Sequence, residues 1–246
     1  MMKPKYVFVG LLILLNFASY SYDGYLFRAS IIFNGFYFAA LLGSAFVLCN
    51  LEFKPLVIFS VFAVVLGWFA EYLNTEALNW TYFNGGQPPL FVALGWVSLL
   101  ALIFYGARFI EEYLNWRIHS YIPSLVCFGL FFLLACKEGN IKLLTVGLYL
   151  FMAVLGVYAA YSGEFGWGAA ILLMGIIVGS TSEALGAWCN LWTFRSGEIL
   201  PLPMVVTWSA RAFCISGLLK LFGLHTKKVF RTYGERRRAE EKKGKT

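Results

Sequence analysis

Residues 67–96 read GWFAEYLNTEALNWTYFNGGQPPLFVALGW, and residues 179–208 read GSTSEALGAWCNLWTFRSGEILPLPMVVTW. At a constant offset of 112 both fit G-x3-E-x-L-x6-W-T-x3-G-x3-P-L-x5-W, with no gap. The identical pairs include Gly67/Gly179, Glu71/Glu183, Trp80/Trp192, Gly85/Gly197, Pro89/Pro201 and Trp96/Trp208. An internal repeat governs architecture before any local pattern does. Each copy of this one carries a glutamate among apolar residues.

Working outward, the whole chain is too apolar for a soluble domain. Of its 246 residues 60% are hydrophobic and only 13% charged, about half the charged share of an ordinary globular chain. Apolar runs long enough to cross a bilayer, near twenty residues each, fall at about 5–21, 30–49, 55–73, 90–110, 119–136, 142–161, 166–185 and 203–223. Adding 112 to the first four reproduces the last four within three residues. The expected fold is an all-α integral membrane protein of eight transmembrane helices, built as two four-helix repeats over 1–112 and 113–224, with a basic tail over 225–246. An even number of crossings returns the chain to its starting side, so the repeats are expected to be parallel, related by an axis along the membrane normal. The first span maps onto the fifth and is expected to be retained rather than removed as a leader.

Charge sets the expected orientation. Nine of the twenty Lys and Arg residues lie in 225–246, which places both termini in the cytoplasm of a cell or inner membrane and the two motif loops on the opposite side. The tail is expected to touch anionic lipid head groups and to continue as a polar helix; no nucleic-acid-reading module accompanies it. His119 and His225 read as interface residues. The five cysteines are spaced singly, with no metal-ligand pattern, so no metal is expected and no cofactor is implied.

The chemistry concentrates in the motif. An ionisable group at membrane depth costs about 2.5–3.5 kcal/mol and faces a bundle interior, a partner or a pathway. Glu71 and Glu183 each follow a glycine by four residues, so Gly67 and Gly179 share their helix faces and permit close helix approach. Beyond each glutamate lie aromatic and amide groups: Asn74, Asn79, Trp80 and Tyr82 in the first copy, Trp188, Asn190 and Trp192 in the second. Gly85 and Gly197 favour a turn, and Pro89 and Pro201 suit a helix start. A capping loop over the bundle is the expected result. Trp96 and Trp208, inside helices, read equally well as members of an interfacial aromatic belt.

The copies differ at Arg211, the one basic residue well inside a span, where the first copy has Leu99. Glu183 is its expected partner, which makes Glu183 the standing anion and leaves Glu71 as the acid. The expected catalytic pair is Glu71 and Glu183, and the expected binding residues are Asn74, Asn79, Trp80, Tyr82, Trp188, Asn190, Trp192 and Arg211.

Signatures of nucleotide, zinc-hydrolase and serine-hydrolase chemistry are missing, and with one Asp in the chain no paired-aspartate site for magnesium and a diphosphate is present. The E-x-L-x6-W-x-aromatic stretches, each followed by G-x3-P and a Trp, resemble membrane carotenoid-modifying proteins, namely carotenoid hydratases and small lycopene-cyclase-type proteins. The spacing after the glutamate differs from the hydratases, and the Pro-Glu-Glu run of the cyclases is missing. The resemblance implies an intramembrane enzyme acting on an isoprenoid, a carotenoid or another lipid by acid-catalysed hydration or cyclisation of a double bond. A proton-coupled small-solute transporter and a membrane scaffold or assembly factor are the alternatives. The expected ligand is a membrane lipid or an apolar small molecule.

Overall fold

The structure is a computed structural model that describes residues 3–76, 79–83, 85, 88–114, 121–137, 150–151, 153–158 and 167–231. The chain runs through α1 (Pro4–Tyr22), the short α2 (Tyr25–Arg28), α3 (Ile31–Cys49), α4 (Phe53–Glu76), β1 (Trp80–Tyr82), α5 (Leu90–Leu114) and α6 (Tyr121–Lys137). Helical residues at 150–151 and 153–158 form α7. Then follow α8 (Trp167–Met174), a π turn (Gly175–Gly179), α9 (Ser180–Trp188), β2 (Trp192–Phe194), α10 (Leu202–Leu221) and α11 (Thr226–Val229). The α8–π–α9 series is one continuous span, Trp167–Trp188.

Six helical spans among the described residues are long and apolar enough to cross a membrane. Large apolar side chains lie bare on their outer faces, for example Leu14, Leu42 and Val65, each at least 58% exposed. A water-soluble monomer rarely shows so continuous an apolar surface; lipid is the solvent that suits it. The architecture is that of an all-α multi-pass membrane protein. Of the two further spans expected from sequence, α6 is a 17-residue helix and 142–161 falls largely outside the described residues. So do His119 and the tail beyond Arg231; the described part of the tail, 225–231, contains the four-residue α11.

α10 is the central post, 78% buried, whereas α1 at 17% is peripheral. The main core is aromatic and aliphatic packing of α4, α5, α8 and α10, with Phe59, Phe104, Phe213 and Phe230 fully enclosed. A second cluster joins α1 and α3 to the loops, built on Tyr20, Tyr25, Phe33, Tyr37, Phe91 and Trp192.

The motif loops are not merely a cap. Trp80-Thr81-Tyr82 and Trp192-Thr193-Phe194 pair as antiparallel strands with register Trp80↔Phe194, Thr81↔Thr193 and Tyr82↔Trp192. β-branched and aromatic residues suit such a strand. Two flanking bonds extend the ladder, Phe83 N–H to Leu191 O at 3.0 Å and Arg195 N–H to Asn79 O at 2.9 Å. The pairing is symmetric about Thr81 and Thr193, because every bond has its equivalent at the 112 offset. In both strands the outer two side chains are buried and the threonine is exposed. The turns that follow use Gly85 and Gly197 at φ +67° and +72°, the left-handed region that glycine enters without penalty. α10 is capped by Pro201, and α5 begins directly after Pro89.

Candidate functional site

Each motif builds the same local device. A Cβ added to Gly67 would lie 2.5 Å from Cγ of Trp96, and one added to Gly179 would lie 2.3 Å from Cγ of Trp208. The glycine therefore lets the tryptophan of the next helix lie flat on its own, which aims the indole N–H at the glutamate one turn further on. Trp96 Nε1 donates to Glu71 Oε1 at 3.1 Å, and Trp208 Nε1 donates to Glu183 Oε1 at 2.9 Å. Trp96 and Trp208 are almost fully buried and touch each other, with ring centroids 5.2 Å apart. The aromatic-belt reading of these two residues is thereby corrected: each is held inside by a carboxylate that needs a donor.

Arg211 lies between the two devices. Its guanidinium carbon sits 4.1 Å from the Trp96 ring centroid and 4.7 Å from that of Trp208, so two π faces take up its charge. Nη2 donates to Glu71 Oε1 at 3.3 Å, while Nη1 stands 3.9 Å from Glu183 Oε1. The expected partnership with Glu183 is present and is joined by a shorter one with Glu71. Arg211 bridges both carboxylates and is nearer Glu71, because the symmetric packing of the two motifs brings both glutamates to the middle of the molecule. A sequence comparison within one copy could pair Arg211 only with its own glutamate.

Glu71 is the more thoroughly engaged carboxylate. Besides Trp96 and Arg211 it accepts from Tyr82 Oη at 2.8 Å. Burial, reinforced by the nearby Glu71 charge, pushes the Tyr82 hydroxyl well above its ordinary 10.0, so it remains a donor at any physiological pH. The second copy has Phe194 in the equivalent place, and Glu183 receives no such bond. The Glu183 side chain is 13% exposed against 5% for Glu71.

That exposure opens into a cavity of about 700 Å³, its mouth included, bounded by α1, α3, α4, α5, α9, α10 and both strands. Of the expected site residues, Glu71, Glu183, Trp80, Tyr82 and Trp192 line it. Arg211 stands behind the carboxylates. Asn74 and Asn79 build the loop instead: Asn79 Nδ2 donates to Asn74 Oδ1 at 2.8 Å, and Asn74 Nδ2 donates to Ala70 O at 2.7 Å. Trp188 is 56% exposed on the outside, and Asn190 occupies a left-handed turn position at φ 54°. The structure does not bring these last two to the cavity.

Sequence reasoning missed the wall contributed by the first and second spans, where Asn16 and Tyr37 lie with Phe33, and missed Ser98 and Ser182. The available signal was polarity out of place: Asn16 is the one amide within the first apolar span, and Tyr37 stands within the second. Tyr37 Oη bonds both the backbone and side-chain oxygens of Asn16, and Ser44 Oγ donates to Ser98 Oγ at 3.0 Å.

Comparison of the chain with protein-family models, with curated proteins and with solved structures finds no match in any of the three.

Proposed function

We propose that the protein is an intramembrane enzyme that adds water to, or cyclises, a double bond of an isoprenoid, a carotenoid or a similar lipid. It is read as two parallel four-helix repeats that share one site, with the strand pair on the pseudo-symmetry axis. The observation that carries the reading is Glu71, Arg211 and Glu183 in contact at the inner end of an aromatic cavity. One buried cation for two buried carboxyls leaves the second carboxyl best accommodated with a proton. Glu71, with three donors, is assigned as the anion, and Glu183, which faces the cavity, as the acid. These roles reverse the expectation from sequence.

In the reaction Glu183 gives its proton to one alkene carbon, and the π pair becomes the new C–H bond. The cation left on the neighbouring carbon is stabilised by the faces of Trp80, Tyr82 and Trp192. Water then adds its oxygen lone pair and returns a proton to Glu183, which completes hydration. In cyclisation a second double bond supplies the pair, and a ring proton is lost to Glu183. Either sequence ends with the acid restored.

Access fits a lipid. The strand pair roofs one end of the cavity with Trp80, Tyr82 and Trp192. α3 leans on α1 and α5, and it meets the α9–β2 segment at the roofed end, where Ser30 Oγ lies 3.0 Å from Cys189 Sγ. Phe36, Ala40 and Glu183 are partly exposed while lining the cavity, which assigns the way in to the side, between α3 and α9. A ligand arriving there comes out of the bilayer.

The π turn at Gly175–Gly179, just before Glu183, favours a second reading as a proton-coupled carrier, since interrupted helices recur at transport sites. One comparison separates the two. Lipid and pigment extracts of cells with the wild-type chain, with Glu183→Gln and with no chain are profiled by mass spectrometry. The enzyme reading expects a species shifted by one water or by ring closure in the wild type alone. Identical profiles, together with solute-driven proton uptake in proteoliposomes, would replace it with transport.

A further inference from the structure

Two polar side chains in the cavity wall have no partner for their donors among the described residues. Asn16 is 2% exposed; its backbone and side-chain oxygens both accept from Tyr37 Oη, and its amide N–H2 donates to no described residue. Ser182, 8% exposed and adjacent to Glu183, makes no side-chain hydrogen bond among the described residues. Neither group belongs to the buried atoms sealed off without a partner, so both reach the cavity surface. An unpaired buried donor is costly, and a wholly hydrocarbon occupant leaves both costs standing.

The wall thus has two kinds of surface. Phe33, Trp80, Phe91 and Trp192 offer ring faces, while Asn16 on α1 and Ser182 on α9 offer hydrogen bonds. The amide is fixed in orientation by Tyr37, whose ring in turn stacks on Tyr20 at 3.9 Å between centroids, so the donor is held in place before any ligand arrives. A preset donor in an apolar pocket fixes how a ligand lies and rejects analogues that cannot answer it.

We infer that the lipid taken by this cavity carries an oxygen function, a hydroxyl in the first instance, which Asn16 holds with Ser182 as second contact. The inference rests on the lipid-enzyme reading for the class of occupant, but it concerns binding and needs no turnover. A hydroxyl accepts from the amide and still has its own proton to give. Asn16 is a specificity-determining residue on this view, distinct from the carboxylates.

The test uses the full chain in phosphatidylcholine nanodiscs, with Glu183→Gln so that no conversion occurs. Binding of geranylgeraniol and of the matching C20 hydrocarbon is followed through quenching of the cavity tryptophans. The alcohol should bind about tenfold more tightly than the hydrocarbon, and Asn16→Leu should erase that ratio by weakening the alcohol alone. Ser182→Ala should reduce the ratio by a smaller factor. Leu is apolar and of similar volume, so the variant is expected to fold, and its unchanged hydrocarbon affinity is the internal check. Equal binding of alcohol and hydrocarbon to the parent chain overturns the inference. So does an alcohol preference that survives Asn16→Leu, which would mean the amide is satisfied by water. Lipid binding without conversion in the active chain would instead remove the enzyme reading and leave this one standing.

Discussion

Arg211 and Glu71, 140 residues apart in sequence, meet through a 3.3 Å bond from Nη2 to Oε1 at the centre of the bundle. The contact ties α10 to α4 where both side chains are buried, 2% and 5% exposed. Arg211→Met should destabilise the protein strongly, by about 3–5 kcal/mol, because two buried carboxyls lose their cation. Thermal unfolding in detergent measures it. Adding Glu71→Gln to Arg211→Met should recover part of the loss, and a double variant less stable than Arg211→Met would refute the pairing.

The two glutamates should not behave alike. Glu71→Gln disturbs bonds to Tyr82, Trp96 and Arg211 and is expected to lower stability by about 1–3 kcal/mol. Glu183→Gln keeps an acceptor for Trp208 and should cost less, while abolishing the lipid conversion. Matched losses of stability and activity in the two variants would show that the site is functionally symmetric after all.

Tyr82→Phe imitates the second copy and removes the 2.8 Å bond to Glu71, at a cost of about 1 kcal/mol. Its pH dependence has a definite sign. The folded hydroxyl loses its proton only well above 10.0, whereas the unfolded one does so near that value, so the unfolded state sheds protons first. Wild-type stability should be full below about pH 10 and fall above it, and the fall should be shallower in Tyr82→Phe. Denaturation midpoints at pH 8, 9, 10 and 11 would reveal the difference; parallel curves count against a buried, protonated Tyr82.

Gly67→Ala and Gly179→Ala place a methyl within 2.5 Å and 2.3 Å of Trp96 and Trp208 ring carbons. Each should cost about 1–3 kcal/mol through overpacking and should swing the indole N–H from its carboxylate. Tryptophan emission would change in both. Gly24→Ala is no control, since Gly24 lies at φ +80°; Gly95→Ala, with open space around its added carbon, is one.

Much of this was legible in the repeated motif, and the reasons are physical. A glycine four residues before a glutamate places both on one helix face, and Trp96 and Trp208 occupy the close approach that the glycine allows. The left-handed turns at Gly85 and Gly197 followed from backbone freedom alone. The β1–β2 pairing was not legible, because three-residue strands gain their identity from partners more than a hundred positions away. Only one of Arg211's two carboxylates was legible, for a related reason: sequence offered Glu183 within the same motif, and packing added Glu71 from the other. The α1–α3 wall lay outside the motif, and its main signal was one amide, Asn16, too slight to weigh against the apolar character of the nineteen-residue helix that carries it.

Position 211 corresponds to Leu99 at the 112 offset. Were the halves separate, identical chains associating as a homodimer, that locus would hold two guanidinium groups or two leucines, so the charge at the centre could change only in steps of two. One polypeptide that carries both motifs, with Leu99 in one and Arg211 in the other, permits an odd count there. A lone arginine between twin acids is thus a state that strict twofold assembly forbids, and that one chain allows because its two motifs differ at positions 99 and 211.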